Sequence, residues 1–341
     1  MASRLRSAAK WLAALLIGGA VCLALAALWF FAATQRPHQG FDDEKLLIIV
    51  RGSSVEGIAR QLEREGVVAS AFLFRLHARL VAPGRPLQAG QYKFDSPLSI
   101  AEVTEKLRSG DVYFHQITVP EGRDQREIAE IFVRAGFGTA EEWEGATEDP
   151  TLIRDLDPQA TDLEGYLFPE TYFLTYDSRP EEIVESMVGR FRRIWTSERR
   201  QRASELGLSV REAVTLASLI EKETGLAPER RLVSSVFHNR LRRGMLLQCD
   251  PTVVYAVKRV QEFDGTIRRS HLQMDSPYNT YLYPGLPPGP IANPGEASIE
   301  AALFPATSDY LFFVSRNDGS HHFSVDYAAH DTAVRRYQRN R

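Results

Sequence analysis

The chain has 341 residues, 44% hydrophobic and 25% charged, with a net charge of −3. That length leaves room for two or three domains of ordinary globular composition. No basic patch interleaved with aromatics stands out, so nucleic acid is not an expected partner. Of the two cysteines, Cys22 sits in an apolar run, so it is not expected to bridge to Cys249. Neither has metal-ligand spacing, and neither a metal nor a cofactor is expected.

In chain order, Trp11 to Ala33 is an apolar run without a charge, long enough to cross a bilayer as one helix. Arg4, Arg6 and Lys10 precede it, and Asp42, Asp43 and Glu44 follow. The positive-inside rule therefore leaves a short cytoplasmic tail, residues 1–10, and sends the rest of the chain to the outside of the membrane. A cleaved signal peptide would have a shorter apolar core, of about 7–15 residues, so an uncleaved anchor over 11–33 is the expectation. Residues 34–45, including QRPHQG, form a linker.

Next come a β-rich run at Leu46–Val50, helical spacing over Val55–Glu65 and Ser70–Leu80, a returning strand near Gln88–Phe94 and a helix over Ser99–Leu107. A strand, two helices and a strand resemble a LysM module, a small βααβ unit that binds chains containing N-acetylglucosamine; a spacer or docking unit is the alternative. This unit is assigned to residues 46–113, with His77 as a packing or surface residue. The chain restarts with a strand at Phe114–Val119, a turn at Pro120-Glu121-Gly122 and an amphipathic helix over Arg126–Ala135. Trp143–Leu156 is expected to be acidic and irregular.

Leu163–Tyr172 (LEGYLFPETY) packs aromatics around Gly and Pro. Such a loop can line a carbohydrate groove, with Glu164 as its acid and Tyr166 as a stacking ring, or it can be a strand-turn that buries its rings. An amphipathic helix with a solvated basic face then runs from Pro180 to Trp195 and on towards Arg202.

Ser209–Gly225 (SVREAVTLASLIEKETG) is the most informative stretch. Ser209 with Glu212 makes a capping box, and Gly225 with Pro228 supplies the stop. Val214, Ala217 and Glu221 fall in one line, so an apolar row carries a carboxyl at its end. Glu223 lies roughly 200° further round and cannot point to the same place. A carboxyl at the rim of an apolar face is a candidate general acid, because desolvation favours its protonated form; a solvated acid at an amphipathic boundary is the plainer alternative. Arg230–Arg243 forms the next helix, with His238 as a packing or capping residue. Gln248 and Asp250 follow, the latter either a ligand-binding acid or the N-cap of a helix over Val253–Lys258. Tyr278, Asn279 and Tyr281 lie in a long loop rich in aromatics and proline that runs to Gly295 and suits a groove wall. A short helix at Ser298–Ala302 and a hairpin of Tyr310–Ser315 with His322–Ser324 complete the reading.

EGYLFPETY, LASLIEKETG, SSVFHNRLRRGMLLQCDPTV, SPYNTY, GLPPGPIANPG and HHFS, in this order, resemble the YceG-like endolytic murein transglycosylases. The resemblance implies a mixed α+β catalytic domain over 114–341, completing an α+β chain with one transmembrane helix and a LysM-like module. It places the family's catalytic acid on Glu221, with Glu164, Tyr166, Glu223, Gln248, Asp250, Tyr278, Asn279 and Tyr281 as substrate-binding candidates. Cys249 stands where the family commonly has a small polar residue. The implied reaction cleaves the β-1,4 bond between N-acetylmuramic acid and N-acetylglucosamine within nascent strands and leaves 1,6-anhydro ends, which would terminate glycan elongation. The implied partners are peptidoglycan strands, the inner membrane, and penicillin-binding proteins with other cell-wall synthases. A lysozyme-like muramidase and a non-catalytic glycan-binding scaffold are the alternatives.

Overall fold

The computed structural model describes residues 2–81 and 84–339; Met1, in the expected cytoplasmic tail, and the last two residues lie outside the described residues. The chain is mixed α+β and divides into two compact units, 1–115 and 116–341.

The first unit opens with helix α1 (Ala2–Thr34), whose segment Lys10–Thr34 is long and apolar enough to cross a membrane. Strand β1 (Lys45–Ile49), α2 (Val55–Arg64), α3 (Ala71–Leu80) and β2 (Gly90–Phe94) follow in the expected strand–helix–helix–strand order. β1 and β2 pair antiparallel, from Lys45 opposite Phe94 to Ile49 opposite Gly90. Alternation along both strands sends Leu47, Ile49, Tyr92 and Phe94 into one core with Ile58, Leu62 and Phe74. Helix α4 (Ile100–Ser109) closes this core with Val103 and Leu107; Ser99 and Glu102 form its capping box, and Gly110 ends it in the left-handed region. His77 is buried, its Nδ1 3.2 Å from the Thr104 hydroxyl, as a packing residue should be.

In the second unit β3 (His115–Thr118) leads to α5 (Gln125–Arg134) and α6 (Ala140–Glu148). The last of these corrects the irregular segment expected from Trp143. Thr139 caps it through Glu142, acids fill its first turn, and Trp143 and Thr147 bury one face. The Trp143 ring stacks on Phe132 at 4.7 Å, which ties α6 to α5. β4 (Thr171–Leu174) pairs with β3. The basic amphipathic run divides at Trp195 into α7 (Pro180–Ile194) and α8 (Ser197–Glu205), because Thr196 starts a new cap.

Helix α9 (Val210–Glu223) has the expected Ser209–Glu212 capping box and is buried from Ala213 through Ile220. It packs beside α10 (Ala227–Arg242) and α11 (Asp250–Lys258); α12 (Arg269–Leu272) is a single turn, and α13 (Glu296–Leu303) lies along α9. His238 on α10 is buried and donates from Nε2 to the Ala302 carbonyl at 2.8 Å, fastening α10 to α13. β5 (Phe312–Ser315) and β6 (His321–Ser324) form the expected antiparallel hairpin, and α14 (Tyr327–Val334) packs against it.

Two expectations about loops change. The stretch Gly289–Gly295 is buried, and the Ile291 amide donates to Ser218 Oγ on α9 at 3.1 Å. It is a strap through the core, because its prolines leave few amides to satisfy once out of water. Tyr166 also has no exposed surface: its hydroxyl donates to Asp157 at 2.7 Å and its ring meets Phe191 edge-on. It packs the core and offers nothing to a sugar, which corrects its place among the stacking rings.

Glu164 is likewise buried, 3% exposed, and receives the Gln125 amide at 3.2 Å, the Asn293 side-chain amide at 2.9 Å and the Tyr255 hydroxyl at 3.3 Å. Its neighbour Gly165 has φ +87°, and a Cβ there would lie 2.5 Å from Pro290 Cγ and 2.9 Å from Val214 Cγ1. Only glycine both adopts that backbone and admits the strap so closely.

Gly165→Ala should therefore destabilise the protein by about 2 kcal/mol or more, read as a lower thermal midpoint; an unchanged midpoint would show that the strap does not depend on this contact. Burial pushes the Glu164 carboxyl up to about 8 from an ordinary 4.5. A carboxyl raised in the folded state contributes stability that is full below its unfolded value and is lost as pH rises through its folded value. Between these two values the wild type should lose stability with rising pH, and Glu164→Gln should show a shallower decline in melting scans.

Candidate active site

Glu221 lies on the last turn of α9, where the buried row of Val214 and Ala217 reaches the surface. Its side chain is 7% exposed. Oε2 accepts the backbone N–H of Gly295 at 3.0 Å, and Oε1 lies 3.8 Å from an Arg230 Nη on α10. Gly295 is the N-cap of α13, so the carboxylate lies at the positive end of that helix. Gly122 fits against the other side, and a Cβ there would lie 3.4 Å from Glu221 Cγ. Lys222 Nζ donates to the Gly122 carbonyl at 3.0 Å and holds that turn down on α9.

A second carboxyl stands beside the first. Glu121 Oε2 is also 3.8 Å from Arg230 Nη, and the Glu121 carboxyl lies directly over Gly295, where a Cβ would come within 1.9 Å of it. Glu121 is 48% exposed, with its carboxyl packed against Gly295. Burial, then the neighbouring charge of Glu221, raises its proton affinity above that of an ordinary glutamate, against the pull of Arg230. Gly295 has ordinary backbone angles, φ −73° and ψ 169°, so it is glycine here for space.

Asn293 joins the three segments around Glu221. Its Oδ1 accepts the Leu167 amide at 2.8 Å, and its Nδ2 donates to Glu164 and to the Arg123 carbonyl. Its backbone carbonyl accepts the Gly122 amide at 2.9 Å, and its own amide donates to Arg123. Glu164 thus supports the site from behind and makes no contact with Glu221.

Glu223 looks elsewhere, as its place on the helix requires. Its carboxyl receives the Cys249 thiol and faces Asp250, His321 and Arg240; burial pushes it up to about 7. Cys249 takes the N-cap of α11, and Asp250 sits in the first turn, where its carboxylate accepts the Tyr281 hydroxyl at 2.5 Å instead of capping the backbone. Gln248 is exposed with φ +50°, its amide bonded to the Thr280 carbonyl. Glu223, Asp250 and Tyr281 therefore lie together apart from Glu221's partners, with Gln248 beside them through its backbone amide on Thr280. Tyr278 belongs to another, its ring 5.0 Å from that of Tyr255, with the Arg259 guanidinium over both. Asn279 is wholly buried; it donates to the Leu272 and Met274 carbonyls and accepts the Tyr281 amide. It shapes the loop.

A cavity of about 1220 Å³ opens between α5 and α11, lined by Asp124, Glu127, Glu164, Tyr255, Lys258 and Arg259 among others. Glu221 is not in its lining. The segment from Glu121 to Gln125 connects the two places: Asp124 and Gln125 line the cavity, while Glu121 and Gly122 meet Glu221's surroundings. Among the described residues no cluster of His, Cys, Asp and Glu could hold a metal ion.

Sequence reasoning singled out Glu221 as a candidate but not its neighbours Glu121, Arg230, Asn293 and Gly295. Glu121 was hidden in a turn signal and Arg230 in a charged helix start. Asn293 carried a usable sign, an amide side chain set among prolines in a segment with few other polar groups.

The chain has relatives among known proteins. A protein from Bacillus subtilis named endolytic murein transglycosylase is 34% identical over 308 residues, covering 85% of this chain and 83% of its own. A protein of the same name from Streptococcus pneumoniae is 29% identical over 84% of this chain, which spans 57% of that longer protein. A crystal structure of a yceG-like protein from Listeria monocytogenes matches with a TM-score of 0.59 at 31% identity, over 85% of this chain and 98% of that one. With the YceG-like family profile also matching residues 47–336, the chain belongs to the YceG-like family.

Proposed function

We propose that the protein is an endolytic lytic transglycosylase of peptidoglycan, held in the inner membrane by α1 with its second unit in the periplasm. The observation that carries the reading is the carboxyl of Glu221, nearly out of water and held on one side by the Gly295 amide. The names of the relatives supply the substrate class.

In the proposed reaction Glu221 gives its proton to the oxygen linking N-acetylmuramic acid to N-acetylglucosamine, and the bond from that oxygen to the muramic C1 breaks. The resulting carboxylate is received by the Gly295 N–H and by Arg230, donors already in place before the proton leaves. It then takes the proton of the muramic C6 hydroxyl, whose oxygen bonds to C1 and closes the 1,6-anhydro ring. The proton returns to Glu221, no water is consumed, and one carboxyl serves as acid and then base.

The substrate contacts follow the placement of the side chains. Tyr281 with Asp250, Gln248 and Glu223 forms a polar, partly exposed cluster suited to hydroxyl and acetamido groups. Tyr278 with Arg259 provides a ring and a cation, and the cavity between α5 and α11 has room for saccharide units. Glu164 and Asn279 hold the backbone that carries these groups. We further propose that the strand–helix–helix–strand unit is a LysM-like module. Tethering to the membrane would bring the site to nascent strands, where cleavage terminates elongation beside penicillin-binding proteins and other synthases.

Full-length protein in detergent, incubated with purified peptidoglycan, should release fragments with anhydro-muramyl ends by mass analysis. Glu221→Gln should keep its melting temperature within a few degrees and lose cleavage by at least about 10³-fold. Equal cleavage by the two proteins would remove Glu221 from the chemistry, and reducing muramyl ends would mark a hydrolase.

A further inference from the structure

We propose that Glu121 is a positioning residue of the reaction: with Arg230 beside both, Glu121 and Glu221 hold one proton as a pair, so that Glu221 has it to give. This rests on the reading of Glu221 as acid and base. Each carboxylate lies 3.8 Å from the same Arg230 nitrogen, so the two can be no farther apart than twice that distance. A single guanidinium beside both carboxylates carries charge enough to offset only one of them. Two carboxyls so placed resist ionising together, and their titrations become properties of the pair.

The groups facing Glu221 come from every element packed on it. Arg230 comes from α10, the Gly295 N–H from the start of α13, and Glu121 with Gly122 from the turn after β3. Lys222, on the same helix, spends its ammonium on the Gly122 carbonyl. Arg230 and the Gly295 amide turn positive charge and a donor towards Glu221, and Glu121 is the one acidic group among these. The turn holding Glu121 is anchored at both ends, by the Gly122 amide on Asn293 and by the packing of its carboxyl over Gly295. Its position is therefore fixed relative to Glu221, although nearly half of its side chain meets solvent.

The step stays balanced without any new reactant. The proton that leaves Glu221 for the leaving oxygen comes back from the C6 hydroxyl, and Glu121 biases where it rests between turnovers. Removing the Glu121 charge leaves Glu221 facing only groups that favour its anion, so its proton should be lost at lower pH. Removing the Arg230 charge should do the reverse.

The test is the pH dependence of initial cleavage rates on dilute purified peptidoglycan by the full-length protein in detergent, across roughly pH 5 to 9. Glu121→Gln should move the alkaline limb about one pH unit lower, Glu121→Asp should restore part of the shift, and Arg230→Gln should move the limb higher. A Glu121→Gln limb that superimposes on the wild type overturns the proposal, as does a rise in KM with no change in the limb, which would make Glu121 a binding residue. If Arg230→Gln does not fold, the Glu121 variants alone decide. Full activity in Glu221→Gln would instead remove the acid–base reading itself, whereas an inactive Glu221→Gln beside an unshifted Glu121→Gln removes only the pair.

Discussion

The second unit depends on the side chain of Asn293. Its oxygen takes the Leu167 amide, and its nitrogen serves Glu164 and the Arg123 carbonyl, so all three strong hydrogen-bonding positions are used in a place closed to water. A buried amide that is fully partnered costs little to hold and much to lose, because each abandoned partner would stay desolvated. Three chain segments far apart in sequence meet at this point: the turn after β3, the loop before β4 and the strap before α13. Two of them go on to touch Glu221. The turn supplies Glu121 and Gly122, and the strap ends at the Gly295 amide.

A general acid needs a carboxyl that does not move and an environment ready for its anion. For Glu221 in the role proposed above, backbone and one arginine would meet both needs. The Gly295 amide fixes one oxygen, the helix behind it presents its positive end, and Arg230 stands by the other oxygen. Glycine recurs at both approaches for different reasons: Gly295 has no space for a Cβ, whereas Gly122 adopts a left-handed backbone, φ +74°. The buried Glu164, by contrast, looks like a site residue from its motif and acts as a brace: three donors converge on it and none of them touches Glu221.

What the sequence made legible follows the range of the interaction. Capping boxes, alternating strands and the row of Val214, Ala217 and Glu221 are decided within a few residues, and the helices and hairpin stand close to where those signals put them. The separation of Glu221 from Glu223 was likewise a matter of helix geometry. The burial of Tyr166, the passage of the proline-rich strap through the core, and the meeting of Glu121 with Arg230 depend on contacts between separate elements, which no local pattern encodes. A helix at Ala140 was missed because its apolar face is narrow, carried by Trp143 and Thr147, in a segment otherwise dominated by acids.

The account turns on whether a single carboxyl completes the reaction without water. The most direct measurement is digestion of peptidoglycan by the full-length protein in water labelled with heavy oxygen, with mass analysis of the muramyl ends. Anhydro ends free of the label are predicted, since the C6 oxygen of the sugar itself closes the ring. Reducing ends that carry the label would show water as the nucleophile and would contradict the assignment of both proton transfers to Glu221.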